Sequence, residues 1–218
     1  MRPSSLQKRE AALRAAERQF LATGYESVTM DSIAAECGIA KQTLYSHFGS
    51  KRALFLELVT AETVGTRRTV LSPPPRVDPH DEPRSALREL LVGQLAAVLT
   101  PNIVGLRRLV IGELPRSPEL AEALYEHGPK RAIATLTGIV RELQSAGVLR
   151  AADPERAAAQ LNWMVMGEPL NRAMMLGDAA LPDRAEIEAQ VDLALELFFD
   201  GLAPRPAAPS AAGHPAHA

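Results

Sequence analysis

The stretch TMDSIAAECGIAKQTLYSHFGS, residues 29–50, decides the fold. Thr29 is placed to cap a helix, Asp31 falls in the first turn where the helix dipole favours an anion, and Met30, Ile33, Ala34 and Cys37 form an i, i+3, i+4, i+7 apolar stripe. Gly38 ends that helix, Ile39 can plug the bend, and Ala40 to Phe48 makes a second short helix before Gly49. Upstream, Leu6, Leu13, Ala16 and Phe20 share one helical stripe that stops at Gly24, a first helix of roughly 18 residues. A longer helix followed by two short ones across a glycine turn is the helix-turn-helix arrangement.

Periodicity also predicts the free face of the second short helix. At about 100° per residue, Leu44 and Phe48 point together into a core, which leaves Gln42 and Ser46 on the opposite side with Thr43 and Tyr45 flanking. An outward face of one amide, two hydroxyls and a phenol suits hydrogen bonding to base edges in a major groove. Lys41, His47, Lys51 and Arg52 ring it, where cations would meet phosphates.

The whole-chain charge of -2 hides an asymmetry. Residues 1–55 carry eight basic side chains against five acidic ones, and the rest of the chain carries 16 against 21. A basic head therefore sits on an acidic body, which suits a head that meets an anion such as DNA phosphate. The 218 residues, 46% hydrophobic and 23% charged, describe an ordinary globular chain without a run of about 20 apolar residues for a membrane span. Met1 to Glu10 has no apolar segment behind its charges, so a cytoplasmic protein is expected.

The single cysteine, Cys37, excludes an internal disulfide, and no cluster has zinc spacing; no metal and no other cofactor is expected. Cys37 and His47 do not read as nucleophile and base, because Cys37 stands in the apolar stripe of a short helix. His214 and His217, with His80 far off, lack the further ligands a metal needs. Catalysis is not expected.

Of 17 prolines, only Pro3 precedes residue 73, whereas Ser72 to Pro83 cannot continue a helix and marks a joint. Beyond it, helical periods separated by Pro or Gly breaks suggest helices at about 84–99, 102–114, 117–126, 129–146, 155–177 and 183–201, following one at 53–71. The expected fold is all-α: a head over 1–52, a helical bundle over 53–202, and a disordered tail at 203–218. Pro169 should bend the 155–177 helix. Leu161, Trp163, Met164, Val165, Met166, Leu170, Met174 and Met175 make that helix apolar on two sides. The 183–201 helix has a core stripe of Ile187, Val191, Ala194, Leu195, Phe198 and Leu202, with Leu193, Leu197 and Phe199 beyond it. One chain covers one side, so a two-fold homodimer across these two helices is expected.

The run GYESVTMDSIAAECGIAKQTLYSHFGSKRALF, residues 24–55, resembles the DNA-binding region of the TetR/AcrR family of bacterial transcriptional regulators, over roughly residues 6–66. One departure is Ala40, where the family commonly carries a serine; alanine can neither cap the helix nor offer a hydroxyl to phosphate. The resemblance implies Thr29 near the DNA backbone, Gln42, Thr43 and Tyr45 in the groove beside the outward Ser46, and Lys41, His47 and Lys51 on phosphates of a palindromic double-stranded operator. Residues from Leu106 to about Gly167 resemble, more loosely, the AefR-like C-terminal domains of that family.

That resemblance implies an effector pocket in the body, lined mainly by Leu95, Val98, Ile103, Leu136, Trp163, Met164 and Met166, and linked to the head through the 53–71 helix. A hydrophobic, neutral or weakly polar small molecule is the expected ligand, with release of a repressor from DNA as the outcome. The alternative is a soluble ligand-binding or scaffold protein whose head does not read DNA.

Overall fold

Helix α1 (Ser5–Thr23) begins the part of the chain described by the computed structural model, which covers residues 5–71, 78–79 and 81–204. Its buried face is made by Ala12, Ala15, Ala16 and Phe20, three of them small enough for close approach of neighbouring helices. The centre of that face lies between Ala12 and Ala16, one flank away from the stripe the sequence suggests. Leu13 is consequently half-buried and Leu6 is 65% exposed.

Helix α2 (Met30–Cys37) starts at a capping box in which the Thr29 side chain accepts from the Ser32 amide at 3.0 Å and the Ser32 hydroxyl accepts from the Thr29 amide at 3.2 Å. It stops at Gly38, whose φ of 66° is left-handed and favours glycine. Helix α3 (Lys41–Phe48) follows with Ala40 at its N-cap and no side-chain cap, as the missing hydroxyl dictates. Helix α4 (Lys51–Leu71) then leaves the head without interruption, so a division at 52/53 falls in its first turn.

The remaining helices are α5 (Pro83–Val98), α6 (Pro101–Glu113), α7 (Pro118–His127), α8 (Pro129–Ser145), α9 (Pro154–Leu176) and α10 (Arg184–Gly201). The first five of these open on proline, whose fixed φ and missing amide are harmless at a first helical position. A short 3-10 turn at Asp178–Ala180, not anticipated from the sequence, joins α9 to α10. No strand occurs among the described residues. Helix α9 runs on through buried Pro169, which deprives the Val165 carbonyl of its usual donor four residues on. Residues 72–77 and 80 of the Pro-rich joint lie outside the described residues, as does the tail beyond Pro204. No single described helix is long and apolar enough to cross a membrane; α5 and α6 pass such a test only together, bent by 64°.

Two cores organise the chain. The body core joins α5, α8, α9 and α10 through Leu87, Leu91, Leu143, Leu161, Val165, Val191 and Leu195. The head core joins Phe20, Ile33, Leu44, Leu54, Phe55 and Leu58, and it also takes in Leu106 and Val110 of α6 and Leu120 of α7. At Gly105 a Cβ would stand 2.8 Å from Leu21 Cδ2, so glycine lets α6 lie directly on α1. Asn102 donates to Glu17 at 2.9 Å beside that contact, and Arg52 pairs with Glu119 between α4 and α7.

Leu106, 3% exposed, thus belongs to the head core although its helix belongs to the body. Leu106→Ala should lower unfolding free energy by about 2–5 kcal/mol, measured by urea denaturation. Hydrogen exchange should show the loss of protection in α1 and α4; loss confined to α8–α10 would contradict this core assignment.

Candidate DNA interface and internal cavity

Burial of Leu44 (0% exposed) and Phe48 (7%) fixes the rotation of α3 on the head core. Gln42, Tyr45 and Ser46 are exposed in consequence, and Thr43 and His47 are half-buried at the flanks. Among the described residues the Gln42 amide has no hydrogen-bond partner, so its donor and acceptor are free for a base edge. The Ser46 hydroxyl is turned back to the Thr43 carbonyl at 2.9 Å, and the His47 ring packs edge-on to Phe48. Thr29 is exposed, with its oxygen engaged at the α2 cap.

The expected phosphate cations differ in what they do. Lys41 is exposed, 2.9 Å from Asp31, and its ammonium lies 5.9 Å from the Tyr45 ring centroid. The Asp31 carboxylate raises the Lys41 pKa above its ordinary value, first through their hydrogen bond. An exposed pair of this kind is weak and can exchange partners with a phosphate.

Lys51 is instead built into the head. It donates to the carbonyls of Tyr25 at 2.9 Å and Glu26 at 3.3 Å, and stands 4.3 Å over the Tyr25 ring. Tyr25 stacks on Phe20 and packs at a tilt against Phe55, and burial, with Glu113 adding to it, pushes its phenol pKa up. Lys51 therefore ties the α1–α2 turn to α4. Two further side chains with no place in the sequence reading, Arg18 and Gln19, reach Glu36 at 2.8 and 2.6 Å and hold α2 against α1.

Behind the head, α4 to α9 line a partly open cavity of about 80 Å3, several times the ~10–15 Å3 that one water needs. Val98, Ile103, Trp163 and Met166 line it as the sequence suggests. Leu95 and Leu136 do not: they are 0% and 1% exposed and fill the body core, because their helical phase faces α9 and α10. Met164 is likewise packed on that core, with its carbonyl accepting from Gln190 at 2.6 Å.

The lining also contains Thr63, Gln94, Arg107, His127 and Asn162, polar residues that apolar periodicity passes over. Arg108 next door caps α9 by donating to the Ala173 and Met174 carbonyls. Only the rotation of α6 separates a helix-capping arginine from one that faces the cavity. No group of three or more His, Cys, Asp or Glu forms a metal site among the described residues.

Residues 12–58 match the model of the TetR family of bacterial regulatory proteins, and residues 85–201 match the C-terminal domain of AefR-like transcriptional repressors. The chain belongs to the TetR family. It is a DNA-binding transcriptional regulator. BetI of Agrobacterium fabrum, an HTH-type transcriptional regulator, is 28% identical over 91% of this chain and 93% of its own length. YezE of Bacillus subtilis is 26% identical over 54% of this chain, a match spanning 61% of that protein. The solved structure of a TetR-family regulator from Mesorhizobium loti superposes with a TM-score of 0.79 at 29% identity, covering 93% of this chain and all of that one. The flavonoid-responsive regulator FrrA is 34% identical with a TM-score of 0.75, over 91% and 98% of the two chains. Within the family frame, α2 and α3 form the helix-turn-helix, and α5–α10 lie in the AefR-like domain.

Lys51→Ala removes two charge-assisted donors and should destabilise the DNA-free protein by about 1–3 kcal/mol, read from denaturant midpoints. Unchanged stability would return Lys51 to the exposed phosphate-contacting set.

Proposed function

We propose that the protein is a cytoplasmic homodimeric repressor that acts by binding rather than catalysis, and that a small, largely apolar effector releases it from a palindromic operator. The observation that carries this is the α3 surface: a helix pinned by Leu44 and Phe48 with Gln42 and Tyr45 turned outward. Gln42, Thr43, Tyr45 and Ser46 read bases in our proposal. Thr29, Lys41 and His47 face the sugar-phosphate backbone, and Lys51 supports them from within the head, its expected phosphate contact being secondary. Division of labour follows, with residues 1–52 as reader and 53–202 as sensor and dimeriser.

For the dimer, the supporting surface lies on α9 and α10, where Trp163 (46%), Leu193 (54%) and Leu197 (57%) remain exposed beyond the body core. Apolar area of that kind, on the two helices packed against each other, fits an isologous interface. For the effector, Val98, Ile103, Trp163 and Met166 supply an apolar wall. The relative FrrA is flavonoid-responsive by name, which makes small aromatic molecules the first compounds to try.

Gln42→Ala and Tyr45→Ala should each reduce discrimination between operator and random duplex by ~1–3 kcal/mol, while Lys41→Ala weakens both and reduces the salt slope by about 1. Fluorescence anisotropy on DNA from upstream of the gene reads all three. Equal preference for operator and random DNA in the unaltered protein would favour the scaffold alternative.

Leu197→Glu should give a helical monomer in sedimentation velocity, with operator affinity lost because two half-sites are no longer engaged together. Retained dimer would move the interface elsewhere.

A further inference from the structure

Among the described residues, four buried side-chain atoms lack a hydrogen-bond partner: Glu57 Oε1, Glu113 Oε2, Arg172 Nε and Arg107 Nε. The first three belong to side chains with an ion partner. Arg9 stands 2.6 Å from Glu57, Arg116 3.9 Å from Glu113, and both Glu168 and Glu186 3.6 Å from Arg172. Arg107 has neither hydrogen bond nor ion pair among the described residues, and it borders the cavity.

Nothing in the cavity wall compensates it. No Asp or Glu lines the cavity, and the other polar groups there are Thr63, Gln94, His127 and Asn162. The Thr63 hydroxyl is spent on the Val59 carbonyl at 2.6 Å, whereas Asn162, 2% exposed, has no hydrogen-bond partner among the described residues. Glu168 lines an adjoining open groove together with the same arginine, and it is paired with Arg172. Burial alone pushes the Arg107 pKa down, with no anion to offset it. A guanidinium nevertheless keeps its proton in a protein, so a cation faces an apolar space with unspent donors. Arg107 is half-buried with its Nε shut off from solvent, and a buried donor is rarely left without an acceptor.

We infer that Arg107 is the anion-pairing residue of the cavity, and that its ligand is a small, largely apolar organic acid whose deprotonated oxygen accepts from the guanidinium. This rests on the cavity being the effector site. Trp163, Val98, Ile103 and Met166 would hold the hydrocarbon part, and the Asn162 amide is placed to take a second polar atom. An anion takes the place of the neutral or weakly polar ligand expected from the apolar periodicity, since that pattern registers Leu, Val, Ile and Met and is silent about one arginine on α6.

Calorimetric titration of the intact protein with benzoate, octanoate and 1-naphthoate, each beside its methyl ester, tests this. Trp163, the only tryptophan, reports occupancy of the cavity by fluorescence. At least one acid should bind roughly 10- to 100-fold tighter than its ester. Arg107→Met should abolish that preference while leaving ester binding in place, Arg107→Lys should retain part of it, and Glu168→Gln should leave it intact. Binding of esters at least as tight as that of acids overturns the anion assignment and leaves the cavity reading standing. Preference that survives Arg107→Met overturns it too. Failure of every acid and ester to bind or to alter Trp163 fluorescence overturns both. Dissociation of Arg107→Met into monomers would assign the guanidinium to the subunit interface instead. Should Arg107→Met fail to fold, the acid-to-ester ratio in the unaltered protein and in Arg107→Lys decides alone.

Discussion

Helix α6 is shared between two cores, and the rest of the molecule is arranged around that constraint. Leu106 and Val110 are buried with Phe20, Phe55 and Leu120 in the head, Val104 is buried in the body, and Ile103 and Arg107 face the cavity. Gly105 brings α6 against Leu21 at a distance that no side chain there would allow without displacement. Close-packed interiors transmit a shift rather than absorb it. A group wedged beside Arg107 or Ile103 therefore presses on a helix whose neighbouring turn is locked into the head.

Helix α4 repeats the pattern. Leu54, Phe55, Leu58 and Val59 lie in the head core, and Thr63, one turn further, lines the cavity. Two helices thus connect cavity and head, tied at their N-terminal ends by Arg52 to Glu119 and by Asn102 to Glu17. Coupling free energies between sites are typically 1–3 kcal/mol, roughly 5- to 150-fold in affinity, which is small against the packing that holds these helices. Regulation by such an arrangement requires only that cavity occupancy and DNA prefer different positions of α4 and α6.

At the other end of the molecule, α3 shows how a reading surface stays rigid on an eight-residue helix. It has no side-chain N-cap, and an isolated helix of that length is not stable in water. Leu44 and Phe48 supply the anchor from beneath, Gly49 closes the end, and Lys51 clamps the α1–α2 turn alongside. The polar face carries no packing duty, which leaves Gln42 and Tyr45 available for contacts outside the molecule.

The sequence by itself determined the helices and the head. Proline at a first helical position, glycine at a left-handed end, and apolar spacing of three and four are local signals, so helix boundaries over 51–201 agree within about two residues. The outward face of α3 was legible for the same reason, since two buried residues fix the phase of an eight-residue helix. Only tertiary structure decided which apolar residues line a space and which fill a core. Leu95 and Val98 belong to one helix and the same chemical class, and a rotation of about 300° sends one into the body core and the other to the cavity. It likewise set Lys51 against the Tyr25 and Glu26 carbonyls, and left Arg107 without a partner while Arg108 capped α9. Residue type states what a side chain can do, and its neighbours across the fold, distant in sequence, settle what it does.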